Sequence, residues 1–183
     1  SSGTTFADLI NGNDAVCSGV SCPGFASGRV NGALDFDGVN DGLDVPNATE
    51  LNWSNSDSFS IQAWVKTTQS CAGNKVYVGK YQDSAGKGDW WLGCDNSTNN
   101  AAFFLRDSVN SAGYKLVGTT PINDGNWHHL VAVRDASLGK NLLYVDGIKE
   151  GTRSASYKGS FYNSNLLTIV YCTPLHLFSV AGV

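Results

Sequence analysis

Between positions 59 and 66 the chain reads Phe59-Ser60-Ile61-Gln62-Ala63-Trp64-Val65-Lys66, a period-two alternation that a strand can use and a helix cannot. It puts Phe59, Ile61, Ala63 and Val65 on one face. Trp64 falls on the other, so that face is half covered as well. Residues 75–81, 89–94, 101–106, 114–118, 127–134, 141–145 and 166–171 form similar β-branched and aromatic runs bounded by Gly, Asn and Asp. Asp-Gly pairs at Asp37-Gly38, Asp41-Gly42, Asp124-Gly125 and Asp146-Gly147 offer the positive φ that hairpin turns require. Their irregular spacing excludes a solenoid or propeller repeat. Short strands with no helices between them predict an all-β chain, an antiparallel two-sheet sandwich in one domain over residues 1–183.

Composition narrows the class. Lys and Arg number 12 against 16 Asp and Glu, a net charge of −4, which argues against a nucleic-acid partner. Charged residues are 15%, below the roughly 25% of an average soluble protein. The 42% hydrophobic content still fills a core, so the polar excess belongs to loops. No apolar run approaches the ~18 residues of a membrane span, and no membrane insertion is expected. The opening Ser1-Ser2-Gly3-Thr4-Thr5 is not a signal peptide, and the absence of Met makes the chain read as a piece of a longer protein.

Five cysteines are present: Cys17, Cys22, Cys71, Cys94 and Cys172. Connectivity is not deducible from sequence. Proximity favours Cys17–Cys22 and Cys71–Cys94, worth about 2 and about 3.4 kcal/mol by loop entropy. Zinc is the rival, but paired C-x₂-C spacing is missing. Disulfides imply a secreted or cell-surface location. Cys172 is left over, a buried thiol or one pairing elsewhere. The sequons at Asn47, Asn52 and Asn96 fit exposed secreted loops.

Four blocks come in a fixed order: Gly32-Ala33-Leu34-Asp35-Phe36-Asp37-Gly38-Val39-Asn40-Asp41, the 59–66 segment, Asn123-Asp124-Gly125-Asn126-Trp127-His128-His129-Leu130, and Leu143-Tyr144-Val145-Asp146-Gly147. Over residues 5–170 the chain thereby resembles the laminin-G-like branch of the concanavalin A-like lectin/glucanase superfamily. The resemblance implies a jelly-roll of two curved sheets, carbohydrate or protein binding, and often a structural calcium ion. The ends depart from the family pattern. No aromatic-rich strand precedes Ser2-Gly3-Thr4, and residues 171–183 form a divergent tail instead of an acidic closing strand. This predicts truncation at the first and last strands, a tail that packs irregularly or contacts another copy, and self-association through exposed sheet edges.

Catalytic constellations are sparse. Only Glu50 and Glu150 occur, both in turn contexts and far apart in sequence, and Asp35 and Asp37 read as turn residues. No Gly-x-Ser-x-Gly elbow appears. His128 and His129 are adjacent, so on a strand they face opposite ways; the resemblance makes Trp127 core and at least one His a hydrogen-bonded support. For calcium, Asp37, Asn40 and Asp41 offer three side-chain oxygen donors in one tight loop. For a sugar, Asp89-Trp90-Trp91 is the best aromatic candidate. The resemblance makes Trp91 core and leaves Trp90 exposed, with Tyr81, Asp89, Asn96, Arg106 and Tyr114 around it. These residues predict a non-catalytic, secreted module of a larger protein that binds glycan or glycoprotein. The alternatives are an adhesive or structural spacer, and thirdly a glycoside hydrolase.

Overall fold

The computed structural model describes residues 3–73, 75–81, 87–109, 113–171 and 177–179. Their alternating sequences form strands that all pair antiparallel. One sheet contains β1 (Gly3–Phe6), β2 (Ala15–Ser18), β5 (Leu43–Val45), β14 (Leu167–Tyr171), β7 (Lys75–Lys80), β8 (Asp89–Cys94), β9 (Asn100–Arg106) and β10 (Tyr114–Pro121), in that spatial order. The other runs β13 (Ile148–Ser154), β12 (Lys140–Val145), β11 (Trp127–Asp135), β6 (Phe59–Lys66), β15 (Leu177–Ser179), β4 (Gly32–Asp35) and β3 (Gly24–Ser27). Strands 8 to 12 follow the expected runs within a few residues. Strands β1 to β5 are too short to show a clear period, and polar β13 carries no apolar alternation.

The two sheets press their apolar faces together. On β6, Phe59, Ile61, Ala63 and Val65 lie opposite Arg134, Ala132, Leu130 and His128 of β11, and cross-strand partners share a face. Trp90, Leu92 and Cys94 of β8, Phe103 and Leu105 of β9 and Leu43 and Val45 of β5 supply the facing layer. Three of the four Asp-Gly turns use positive φ, at Gly38, Gly125 and Gly147. Gly42 does not. A Cβ there would lie 3.1 Å from the carbonyl oxygen of Val170, so close backbone approach is its constraint.

Both expected bridges form. Cys17–Cys22 closes the turn after β2, and Cys71–Cys94 has a Cα separation of 5.8 Å. The second ties the end of β8 to the loop between β6 and β7 and not two neighbouring strands, because Cys71 lies in that loop. The expected irregular tail is corrected in its described part. Residues 177–179 pair in register with Lys66, Val65 and Trp64, deep inside the seven-stranded sheet. Cys172, His176 and the rest of the tail lie outside the described residues.

Trp90 is 1% exposed and touches Trp53, their centroids 5.1 Å apart. Truncating a buried Trp costs the transfer term plus a cavity. Trp90→Ala is therefore expected to lose about 3–5 kcal/mol of unfolding free energy, measured by urea denaturation; a loss under about 1 kcal/mol would place the ring at the surface.

Candidate functional site

The sequence-predicted cluster is not brought together. Trp90 faces the core and cannot be a surface platform, because its side of β8 is the one buried against Trp53. Trp91 points to the opposite side of the sheet and stacks on Phe104 at 5.7 Å, so both indoles are buried, not one. Tyr114 also lies against the core, edge-on to Tyr157 and under the Arg153 guanidinium. Asp89 and Arg106 do meet, as cross-strand partners joined in an ion pair, with Asp89 fully buried. Asn96 sits in the exposed turn at the other end of β8, and Tyr81 is 50% exposed beyond β7.

The loop 37–41 turns its acids inward. Asp37 Oδ1 accepts the N–H groups of Val39 (2.8 Å) and Asn40 (3.3 Å), and Asp41 Oδ2 accepts that of Asp37 (2.8 Å). The Val39 N–H, with those of Asn40 and Asp41, holds the Asp37 carboxyl below its ordinary range. Among the described residues no group of three or more His, Cys, Asp or Glu converges. The loop thus fits a cation only in part, through two carboxylates and one amide.

An assembled surface appears instead on the outer side of the seven-stranded sheet. The alternation that sends Ala63 and Val65 inward sends Gln62, Trp64 and Lys66 outward, and β11 does the same with Trp127, His129 and Val131. Trp64 lies opposite His129, and their rings stack at 4.8 Å with 20° between planes. His129 Nε2 lies 3.1 Å from Gln62 Oε1. The Arg29 guanidinium, from the β3–β4 turn, sits 5.6 Å from the Trp64 ring centre. Trp127 lies opposite Lys66, and Tyr144 opposite Val131. All these rings are half-buried, so Trp127 is corrected from core to outer face. The signal that finds them is the same period-two count, applied to the side away from the core.

His128 takes the inward position and is a structural clamp, as expected of one of the pair. Its Nδ1 lies 2.8 Å from Asp146 Oδ2 and its Nε2 3.1 Å from Asp124 Oδ1. Burial alone would lower its pKa, but the two carboxylates outweigh burial and hold it above the ordinary value. The Asn126 backbone and amide N–H, with His128, pull Asp124 down to about 2.

Residues 37–171 match the family model of the concanavalin A-like lectin/glucanases superfamily. The chain belongs to that superfamily. This lectin/glucanase-type sandwich is similar to several solved structures. The binding domain of paraclostridial mosquitocidal protein 1 matches with a TM-score of 0.73 and 13% identity, over 97% of this chain and 46% of that one. Domain 4 of AbnA, an extracellular arabinanase of Geobacillus stearothermophilus, solved with arabinotriose, matches at 0.64 and 20% identity, over 97% and 79%. Domains LG4-5 of the mouse laminin alpha1 chain match at 0.61 and 16%, over 91% and 45%. The chain therefore spans about half the length of the mosquitocidal and laminin chains. At these identities the likeness shows the fold alone. No curated protein matches the sequence. No helix among the described residues is long and apolar enough to cross a membrane.

A raised His128 pKa means its pairing stabilises the fold fully below the unfolded value near 6.5, and that this share is lost as pH rises through the folded value. The Tm gap between the native chain and His128→Gln should be widest near pH ~5.5 and narrow at higher pH. A gap that widens with pH would mean the clamp holds a neutral ring.

Proposed function

We propose that the chain is a non-catalytic, secreted glycan-binding module of a larger protein, and that it holds its ligand on the outer face of the seven-stranded sheet. The observation that carries this reading is the row of half-exposed rings, Trp127, Trp64, His129 and Tyr144, with Gln62 hydrogen-bonded among them. Sugars bind where a flat apolar ring meets fixed polar groups. Trp127 provides the ring; Gln62, His129 and Lys66 provide donors and acceptors for hydroxyls. Two similar structures support glycan recognition on this fold. One is the arabinanase domain in complex with arabinotriose; the other is from botulinum neurotoxin type C, whose cell entry depends on interaction with two ganglioside molecules. The two disulfides support an oxidising, extracellular setting.

Against hydrolysis stands the use of the glutamates. Glu150 accepts the N–H groups of Thr119 (2.9 Å) and Thr120 (3.1 Å), and Glu50 sits exposed on a 3-10 turn beside Thr49. Both are thus placed as turn and strand acceptors and not as a facing pair of acids.

A soluble-glycan panel tests the reading. Trp127→Ala and Trp64→Ala should each weaken binding of any retained glycan by about tenfold, the scale of one stacking contact. Binding by the native chain that both variants keep would move the site elsewhere; no binding across the panel would favour the spacer.

A calcium ion on Asp37, Asn40 and Asp41 belongs to the same reading. A bound ion raises Tm by mass action, so millimolar CaCl₂ should raise it and EDTA reverse the gain. A Tm indifferent to both removes the ion.

A further inference from the structure

We infer, building on the glycan-binding reading, that the ligand carries a carboxylate and that Arg29 is its receptor. Three of the four arginines have their guanidinium groups occupied by protein acceptors. Arg106 pairs with Asp89, Arg134 donates to Ala155 O and Asn141 Oδ1, and Arg153 donates to Lys115 O. Arg29 differs. Among the described residues it forms no ion pair and meets no hydrogen-bond acceptor; its one partner is the Trp64 ring.

That contact places the charge beside the Trp64 ring. Arg29 sits in the turn joining β3 to β4, closed by the Gly28 N–H donating to Asn31 O at 2.9 Å, with Asn31 at φ 57°. A Cβ on Gly28 would lie 2.4 Å from the Gly32 carbonyl oxygen, so this turn admits glycine there and keeps one shape. The indole it leans on is itself held by His129 on the next strand, which in turn is held by Gln62. The result is a ladder of Gln62, His129, Trp64 and Arg29 across the outer face. At its end stands a guanidinium, itself exposed, with its planar fork of donors unspent.

A fork of that shape matches a carboxylate in bidentate fashion, and it does so better than a compact ammonium would. Lys66 projects from the same face two residues from Trp64 and adds a second cation. Trp127, opposite Lys66 and farther along the same face, offers a ring to another residue of the same saccharide chain. The ligand class is thus a uronic-type saccharide, and Arg29 sets specificity within it.

Affinity electrophoresis or calorimetry with polygalacturonate, its methyl ester and dextran sulfate tests this. The native chain should bind polygalacturonate about tenfold more tightly than the ester, the scale of a charged hydrogen-bonded pair. Arg29→Gln should erase that preference, so that acid and ester bind alike. Arg29→Lys should lose most of it, since charge remains but the fork does not. Equal binding of acid and ester, or a preference that survives Arg29→Gln, overturns the inference while the glycan reading stands. Dextran sulfate bound as tightly as polygalacturonate, with Arg29→Lys unimpaired, overturns it as well, in favour of plain charge attraction. No binding of the acid or the ester, when the native chain does bind other glycans on the panel, overturns this inference alone; silence across every glycan ends both.

Discussion

The sandwich is closed at one end by a chain of aromatic contacts, and the placement of everything near it follows. Trp53 stacks on Phe59 at 3.8 Å and leans on Trp90; Phe59 meets Phe161 edge-on at 5.9 Å, and Phe161 meets Tyr157 at 4.8 Å. Trp53 and Phe161 come from segments with no ladder partners, so rings and a few backbone bonds must order them. The Phe161 N–H donates to Trp53 O, and a Cβ on Gly88 would fall 2.3 Å from the Phe161 carbonyl carbon. Aromatic pairs of this kind add roughly 0.5–1.5 kcal/mol each beyond burial. Behind them lies Lys80, fully buried, its Nζ donating to Asn47 Oδ1 at 2.5 Å and Asn52 Oδ1 at 2.9 Å. Burial lowers its pKa, and two amide oxygens are what make its position tolerable. Both asparagines open sequons, and both are engaged in this contact.

The polar side of the molecule follows one economy. Few charges are present, and most carboxylates are spent as acceptors that end strands and close turns. Asp8 gathers the N–H groups of Ile10, Asn11 and Asn13; Asp95 takes those of Ser97 and Thr98 together with the Lys115 ammonium; Asp107 takes those of Lys158 and Gly159. A carboxylate committed in this way satisfies backbone groups that strands leave open. A fold rich in loops and poor in charge thus gains rigid rims.

Rigid rims and a register-locked sheet make the outer face what it is. A slip of β6 by one residue against β11 would turn Trp64 inward and Val65 outward, and the buried layer forbids it. The same constraint that builds the core therefore builds the ring ladder on its reverse side.

Much of this was present in the residues themselves. Period-two alternation determined β6, β8 and β11, the sandwich class, and the opposite orientations of His128 and His129, because side chains alternate on any strand. Strands of three or four residues carry too little period to be separated, and β13, with Lys149, Glu150 and Arg153 on a sheet edge, carries no apolar face at all. Alternation also requires Trp90 and Trp91 to point apart, yet not which one points inward. That was decided by Trp53, thirty-seven positions away and delivered by an irregular loop, and by the register of β8 against its neighbours. Likewise nothing local relates Arg29 to Trp64; only the sheet order, with β4 and β15 lying between β3 and β6, lays the β3–β4 turn beside the indole of β6. Local pattern sets faces, whereas proximity between distant segments belongs to tertiary packing alone.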